Sequence, residues 1–83
     1  MTAEKIEALI KEKLNPVHFE ITDKSGGCGS MFAVVIVSDE FNGKPLLQRH
    51  RLVNTILKDI LPSIHAFEMK TLTVEQWKSQ PSN

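Results

Sequence analysis

Met31 to Val37, MFAVVIV, is the stretch that decides the fold, because every residue in it is apolar. A strand that is covered on both faces carries such an uninterrupted apolar run, so the segment predicts a strand near the centre of a sheet. Before it, Val17 to Asp23 alternates between apolar and polar residues, which is typical of a half-buried strand. The two strands are predicted to form an antiparallel hairpin with residues 24–30 as its loop.

Helical periodicity flanks this hairpin on both sides. The N-terminal apolar stripe can be capped by Thr2 and ends at Asn15-Pro16, because the residue before a proline is driven out of the helical region. The second stripe has Pro45 in its first turn and is predicted to stop at Leu61-Pro62. Its apolar positions are Leu52, Val53, Ile56, Leu57, Ile60 and Leu61.

The remaining sequence predicts one more strand and one more helix. Ile64 to Lys70, IHAFEMK, is predicted to be the third strand, and Thr73 to Gln76 has the spacing of a capping box that would start a short helix carrying Trp77. The predicted order is α-β-β-α-β-α. We therefore expect an α+β fold in which helices pack on one face of a three-stranded sheet.

Size and charge restrict the functional classes. The chain has 83 residues, which predicts a single domain over residues 1–83, and its ten basic residues balance its ten acidic residues. Zero net charge does not favour binding to nucleic acid or to an anionic membrane. No apolar run reaches the roughly 20 residues of a membrane span, and a lone cysteine fits a reducing compartment. We expect a cytoplasmic protein, with entry into the nucleus left open.

Cys28, the only cysteine, lies in the loop sequence Ser25 to Ser30, SGGCGS. Glycines and serines offer little cover to the sulfur, so an exposed thiol is expected. Exposed thiols suit metal binding and redox chemistry, and glycine lets a backbone approach a ligand closely. From the residues alone, Cys28 is either a ligand or a bystander.

Two of the three histidines are candidates for a role. His65 has the strand parity of Phe67 and Met69, which favours a half-buried, hydrogen-bonded imidazole, although one ring nitrogen could reach solvent at the start of the strand. His50 lies in Arg49-His50-Arg51, which is either a solvated helix face or a basic contact patch for a partner or a phosphate. His18, on the predicted polar face of the first strand, receives no role.

The sequence does not support a self-contained catalytic or metal site. No Ser-His-Asp or Cys-His-Asn set, P-loop or dinucleotide fingerprint can be argued. Gly26-x-x-Gly29 matches the KH-domain loop, but that loop joins two helices, whereas here it joins two strands. An iron–sulfur cluster or a tetrahedral zinc site needs four ligands, and this chain offers one thiol and one well-placed imidazole. If Cys28 and His65 bind a metal centre, a second molecule must supply the other ligands.

Three motifs resemble the BolA-like proteins. They are Phe41 to Asn54, FNGKPLLQRHRLVN; Ile64 to Phe67, IHAF; and Leu72 to Trp77, LTVEQW. The likeness extends from the first predicted helix to Trp77 and is greatest to the eukaryotic cytosolic branch of the family. It implies the BolA fold, which is related to the type II KH topology.

The resemblance also implies a function and a site. Members of this branch pair with monothiol glutaredoxins, and the heterodimer bridges a 2Fe-2S cluster in iron–sulfur trafficking and iron homeostasis. The glutaredoxin supplies a cysteine and a bound glutathione. The BolA-like partner supplies a histidine at the start of its last strand, which matches His65, and a loop residue, which matches Cys28. Lys44 and Arg49-His50-Arg51 fall in the family signature and are expected to shape the helix or the partner surface.

The main expectation is therefore a non-enzymatic cluster-binding partner protein, which would be a monomer or a weak homodimer when alone. Because a histidine ligand must be deprotonated, cluster binding should weaken as the pH falls. The alternative is a nucleic-acid-binding transcriptional regulator that uses the KH-like topology with Lys44, Arg49 and Arg51. A thiol reductase acting through Cys28 would be a third class, but the chain has no second cysteine to resolve a disulfide.

Overall fold

The computed structural model describes residues 2–26 and 31–79. Three helices and three strands occur in the predicted order. The helices and strands are α1 (Thr2–Leu14), β1 (His18–Asp23), β2 (Met31–Val37), α2 (Leu46–Ile56), β3 (Ala66–Leu72) and α3 (Val74–Ser79). Short 3-10 turns at Asp39–Phe41 and Leu61–Ser63 precede α2 and β3.

The apolar stretch Met31–Val37 is the central strand of the sheet, as its composition predicts. β1 pairs with it antiparallel, so that His18 lies opposite Val37. β3 pairs with its other edge in parallel, so that Met31 lies opposite Ala66 and Val37 opposite Leu72. Because β2 and β3 are parallel, α2 must return along the sheet between them, from the Val37 end to the Met31 end.

Helices α1 and α2 pack on one face of the sheet and form the core. Alternate residues of β2 point towards them, since side chains alternate across a strand. The fully or almost fully buried residues of this cluster are Ile6, Ile10, Leu14, Phe32, Val34, Ile36, Phe41, Val53 and Leu57. This packing confirms the predicted α+β fold.

The predicted boundaries of three elements, α2, β3 and β1, differ from the structure. α2 ends at Ile56 rather than at Leu61, because a turn over residues 57–60 continues the inward apolar pattern without α-helical geometry. Leu57 remains completely buried and Ile60 is half-buried. The 3-10 turn at Leu61–Ser63 follows, so β3 extends from Ala66 to Leu72 rather than from Ile64 to Lys70. At β1, Val17 lies outside the strand and is 62% exposed, although its N–H donates to the Val37 carbonyl at 2.9 Å.

The capping box at α3 forms as predicted. The Thr73 N–H donates to Oε1 of Gln76 at 3.0 Å, and the Gln76 N–H donates to Oγ1 of Thr73 at 3.1 Å. The cap directs Trp77 onto His18, and the two rings stack with centroids 4.5 Å apart. His18 shares a sheet face with Val37 and not with Ile36, so the Trp77 ring covers part of the face opposite α1 and α2.

Candidate functional site

His65 lies at the end of the sheet where β3 begins. It occupies a bend between the 3-10 turn and β3, and its side chain is exposed. The preceding residue, Ile64, is 9% exposed and packs into the core, so the backbone beside the imidazole is anchored. Among residues 2–26 and 31–79, no hydrogen bond or ion pair engages the imidazole. The expectation of a half-buried, hydrogen-bonded histidine inside the strand is therefore wrong, because β3 begins at Ala66, the residue after His65.

Cys28, the other predicted ligand, lies outside the described residues. The residues on either side of the segment 27–30 belong to the β1–β2 hairpin. The Lys24 N–H donates to the Met31 carbonyl at 2.8 Å and extends the pairing of these strands. Met31 in turn lies opposite Ala66, the residue after His65. The segment that contains Cys28 therefore starts and ends at the same end of the sheet as His65.

The start of that segment has a local turn structure. Oδ1 of Asp23 accepts the Ser25 N–H at 2.8 Å, and Gly26 has φ of 75°, a left-handed conformation that glycine adopts without steric cost. Nζ of Lys24 lies 3.4 Å from Oε2 of Glu68, so an ion pair joins this turn to β3. The residues just before position 27 are therefore held next to β3 by the Lys24–Glu68 ion pair.

Arg49 was expected on the surface of α2, but it is only 8% exposed. Its Nε donates to the Lys44 carbonyl at 2.7 Å, and its Nη1 donates to the Thr71 carbonyl at 3.1 Å and to Oε1 of Gln76 at 2.9 Å. The guanidinium also lies 6.0 Å from the centre of the Phe41 ring. Arg49 therefore joins α2, β3 and α3 internally rather than contributing to a partner surface.

The other members of the predicted basic patch are His50 and Arg51 on α2 and Lys44 just before it. Arg51 is exposed, whereas His50 and Lys44 are half-buried, and Nζ of Lys44 donates to the Glu40 carbonyl at 2.8 Å. The Arg49–Thr71 bond fixes the first half of α2 next to the end of β3. The rise of a strand puts about 17 Å between Thr71 and Ala66, so this part of α2 and His65 occupy opposite ends of the sheet.

His18 differs from His65 in having contacts on two sides. Its Nε2 lies 2.5 Å from Oε2 of Glu20, and its ring stacks on Trp77. Within residues 2–26 and 31–79, no three His, Cys, Asp or Glu side chains converge to hold a metal ion. None of the helices in the same ranges is both long and apolar enough to span a membrane.

Comparison with known proteins agrees with the fold and the motifs. The family model described as BolA-like protein matches residues 10–76, which includes both 3-10 turns, all three strands and α2. The chain belongs to the BolA-like family. The family match indicates no class of enzyme.

Several relatives are similar over nearly their whole length. Protein BOLA2 of Arabidopsis thaliana is 49% identical, with 94% of this chain and 85% of the relative covered. BolA-like protein 2 of Mus musculus is 48% identical, with coverage of 96% and 94%. The crystal structure of a bol-like protein from Babesia bovis superposes with a TM-score of 0.85 at 45% identity, covering 92% of this chain and 88% of that one.

Proposed function

We propose that this BolA-like protein is a non-enzymatic partner of a monothiol glutaredoxin and that the two proteins, with glutathione, bridge a 2Fe-2S cluster. His65 and Cys28 would be the ligands from this chain. The complex would act in iron–sulfur cluster trafficking and iron homeostasis. The observation that carries the proposal is the exposed imidazole of His65, which has no partner in the described parts of the chain although the adjoining backbone is anchored.

The composition of the chain supports shared ligation. A 2Fe-2S cluster is held by four side-chain ligands, which are thiolates or imidazoles. Cys28 is the only thiol, so this chain cannot supply a complete set of cysteine ligands. A partner that brings a cysteine and the glutathione thiol would complete the set. A bound cluster would supply electron storage and transferable iron and sulfide, while this chain would supply two ligands and a docking surface.

The register of the strands supports the pairing of His65 with Cys28. Met31 follows Cys28 by three residues and lies opposite Ala66, which follows His65 directly. Three residues span at most about 10 Å, so the chain length allows a thiol at position 28 to bind a centre that is held at His65. The donor set of one imidazole and one thiol suits iron in a mixed-ligand cluster, as in centres where histidine replaces cysteine.

Cluster reconstitution tests this proposal. The chain would be mixed with a monothiol glutaredoxin and glutathione, and visible circular dichroism would follow the conversion of the glutaredoxin cluster spectrum into that of a mixed complex. His65→Ala should abolish the conversion, and Cys28→Ala should weaken or abolish it. His50→Ala is the matched control. His50 lies on α2 next to Arg49, near the end of the sheet opposite His65, so its removal should leave the conversion unchanged.

Other results would contradict the partnership or one of the two ligands. If the native chain forms no complex and changes no spectrum, the proposed partnership is wrong. If the complex forms and His65→Ala converts the spectrum as the native chain does, His65 is not a ligand. Loss with His65→Ala but not with Cys28→Ala would assign the second position to another group in the complex.

DNA binding is a second candidate function that one relative favours. The relative named DNA-binding transcriptional regulator BolA, from Escherichia coli, is 34% identical over 94% of this chain. The exposed basic side chains on and around α2 could contact phosphates. Zero net charge weighs against this candidate. Binding to a duplex oligonucleotide should fall steeply with added salt if it is real, whereas its absence at low salt would exclude the candidate.

A further inference from the structure

The charge of α2 and its flanking residues differs from that of the whole chain. The net charge of the protein is zero, yet residues 44–58 contain four basic residues and neither aspartate nor glutamate. The basic residues are Lys44, Arg49, Arg51 and Lys58. This segment is therefore locally positive, and the acidic residues nearest to it in sequence, Glu40 and Asp59, lie outside it.

Within the described ranges, no ion pair includes any of these cations. The ion pairs in the described ranges, 2–26 and 31–79, join Glu7 to Lys11, Glu12 to Lys13, His18 to Glu20 and Lys24 to Glu68, and none includes a side chain of α2 or its flanks. Lys44 and Arg49 instead donate to carbonyl or amide oxygens. Arg51 is exposed, with no ion pair or hydrogen bond to its side chain in the same ranges. Its positive charge is available to a partner.

Two large apolar side chains lie beside these cations. Leu46 is 60% exposed and Leu47 is 61% exposed, although both belong to the first turn of α2. Residues four positions apart are neighbours on a helix surface, so Leu46 adjoins His50 and Leu47 adjoins Arg51. Each exposed leucine is thus followed, one turn later, by a basic or titratable side chain.

This surface is distinct from the proposed cluster site. Arg49, in the same part of α2, is bonded to the Thr71 carbonyl near the end of β3, whereas His65 precedes the start of β3. The separation of about 17 Å along the strand means that a partner contact confined to the His65 end would not cover Leu46 and Leu47. Their exposure is not explained by the pairing with a glutaredoxin at His65.

We propose that Lys44, Leu46, Leu47, His50 and Arg51 form a second docking surface, which binds an acidic segment of a partner protein that carries large apolar side chains. Carboxylates of that segment would pair with Arg51 and Lys44, while its apolar side chains would cover the two leucines. A protein segment fits better than nucleic acid, because a phosphate backbone would leave both leucines uncovered. Acidic and apolar residues one helical turn apart would match the leucine–basic pairs.

The test uses the full chain and defined peptides. The probe is a short blocked peptide in which each glutamate pair is followed, four positions later, by a leucine pair, and binding is followed by amide NMR spectra of this chain. A short peptide on a few side chains buries little surface and binds weakly, so the titration should reach millimolar peptide. We expect the amides of residues 44–51 to shift while those around His65 stay in place. Arg51→Glu and Leu47→Ser should each weaken binding about tenfold.

Control variants and control peptides separate this proposal from nonspecific binding. Val17→Ser removes a side chain of matched exposure, 62%, and Lys13→Glu reverses an exposed charge on α1, so neither should change the affinity. Peptides with glutamine in place of glutamate, or serine in place of leucine, should bind far more weakly. The NMR spectra also report directly whether each variant is folded.

Three outcomes would overturn the proposal. The first is that residues 44–51 do not shift at millimolar peptide. The second is that the glutamine or serine peptides bind as well as the probe. The third is that an oligonucleotide shifts these amides while the peptide does not, which would assign the surface to nucleic acid. None of these measurements depends on a cluster, so the result stands apart from the test of His65.

Discussion

His18 and His65 lie at opposite ends of the sheet and have opposite environments. At the end where β2 and β3 finish, His18 stacks on Trp77 and contacts Glu20, and Arg49, on the other face of the sheet, is bonded to Thr71 and Gln76. At the end where they begin, His65 is exposed, and no hydrogen bond or ion pair holds its ring within residues 2–26 and 31–79. One end uses its polar side chains to hold the fold together, and the other leaves an imidazole available.

This difference has an energetic meaning. A side chain that is already held by internal contacts must break them before it can bind a ligand, whereas an exposed and unpaired one does not. Removing a side chain of the first kind should therefore lower the free energy of unfolding, while removing one of the second kind should change only binding. Measuring the stability of variants at both ends tests the contrast directly.

Replacement of Arg49 should have the largest effect on stability. Arg49→Met keeps most of the buried aliphatic volume but leaves the carbonyls of Lys44 and Thr71 and the amide oxygen of Gln76 without this donor. We expect a loss of about 2–4 kcal/mol in the free energy of unfolding, measured by urea denaturation. That is a large part of the stability of a domain of this size.

The exposed neighbour Gln48 is the control for Arg49. Gln48→Met makes the same kind of change on α2 without removing an internal contact, and it should alter stability by less than about 0.5 kcal/mol. If Arg49→Met were as stable as the native chain, the three oxygens would be hydrated and α3 would not depend on the guanidinium.

Arg49 also illustrates what the sequence does and does not predict. Arg49, Val53 and Leu57 are four residues apart, so Arg49 lies on the apolar stripe of α2, a signal for burial that the pattern of adjacent basic residues obscured. The order of the elements, the central strand and the capping box follow from local periodicity and spacing. Two of the three acceptors of Arg49 do not, because Thr71 and Gln76 are more than twenty residues away in sequence.

The position of His65 shows a second limit. Its sequence motif singled it out, but its exposure depends on where β3 begins. Because Leu57, Ile60 and Ile64 contact the core through turns rather than through a continuous helix, β3 starts at Ala66. Periodicity distinguishes apolar from polar positions, but it does not distinguish the end of a helix from a turn that continues the same apolar face.

His18→Ala should have the next largest effect. Loss of the stack on Trp77 removes about 0.5–1.5 kcal/mol, and the exposed contact with Glu20 adds little. Trp77 is the only tryptophan, so the tryptophan fluorescence comes from this ring alone and should change in the same variant. His18→Phe, which can still stack, should retain most of the stability. Equal loss in both variants would show that the stack is not what stabilises this end.

The Lys24–Glu68 pair, which joins the residue after β1 to β3, should contribute less. Its side chains are 50% and 68% exposed, so solvent screens their attraction. A double-mutant cycle with Lys24→Glu and Glu68→Lys should give a coupling of about 0.2–1 kcal/mol that shrinks at high salt. The charge-exchanged double variant should recover the stability lost in each single variant. A coupling that is independent of salt would mean that the two side chains interact other than by charge.

His65→Ala should have the smallest effect on stability and is the most informative variant at this end. Because the exposed imidazole makes no hydrogen bond or ion pair in the described ranges, its removal should change the free energy of unfolding by less than about 0.5 kcal/mol. The same variant is expected to abolish formation of the shared cluster. Unfolding curves and the visible circular dichroism spectrum of the mixture with glutaredoxin, recorded on one preparation, would separate the two effects. A loss of 1 kcal/mol or more, about the value expected for His18, would mean that His65 also holds the fold and that the two ends differ less than their contacts suggest.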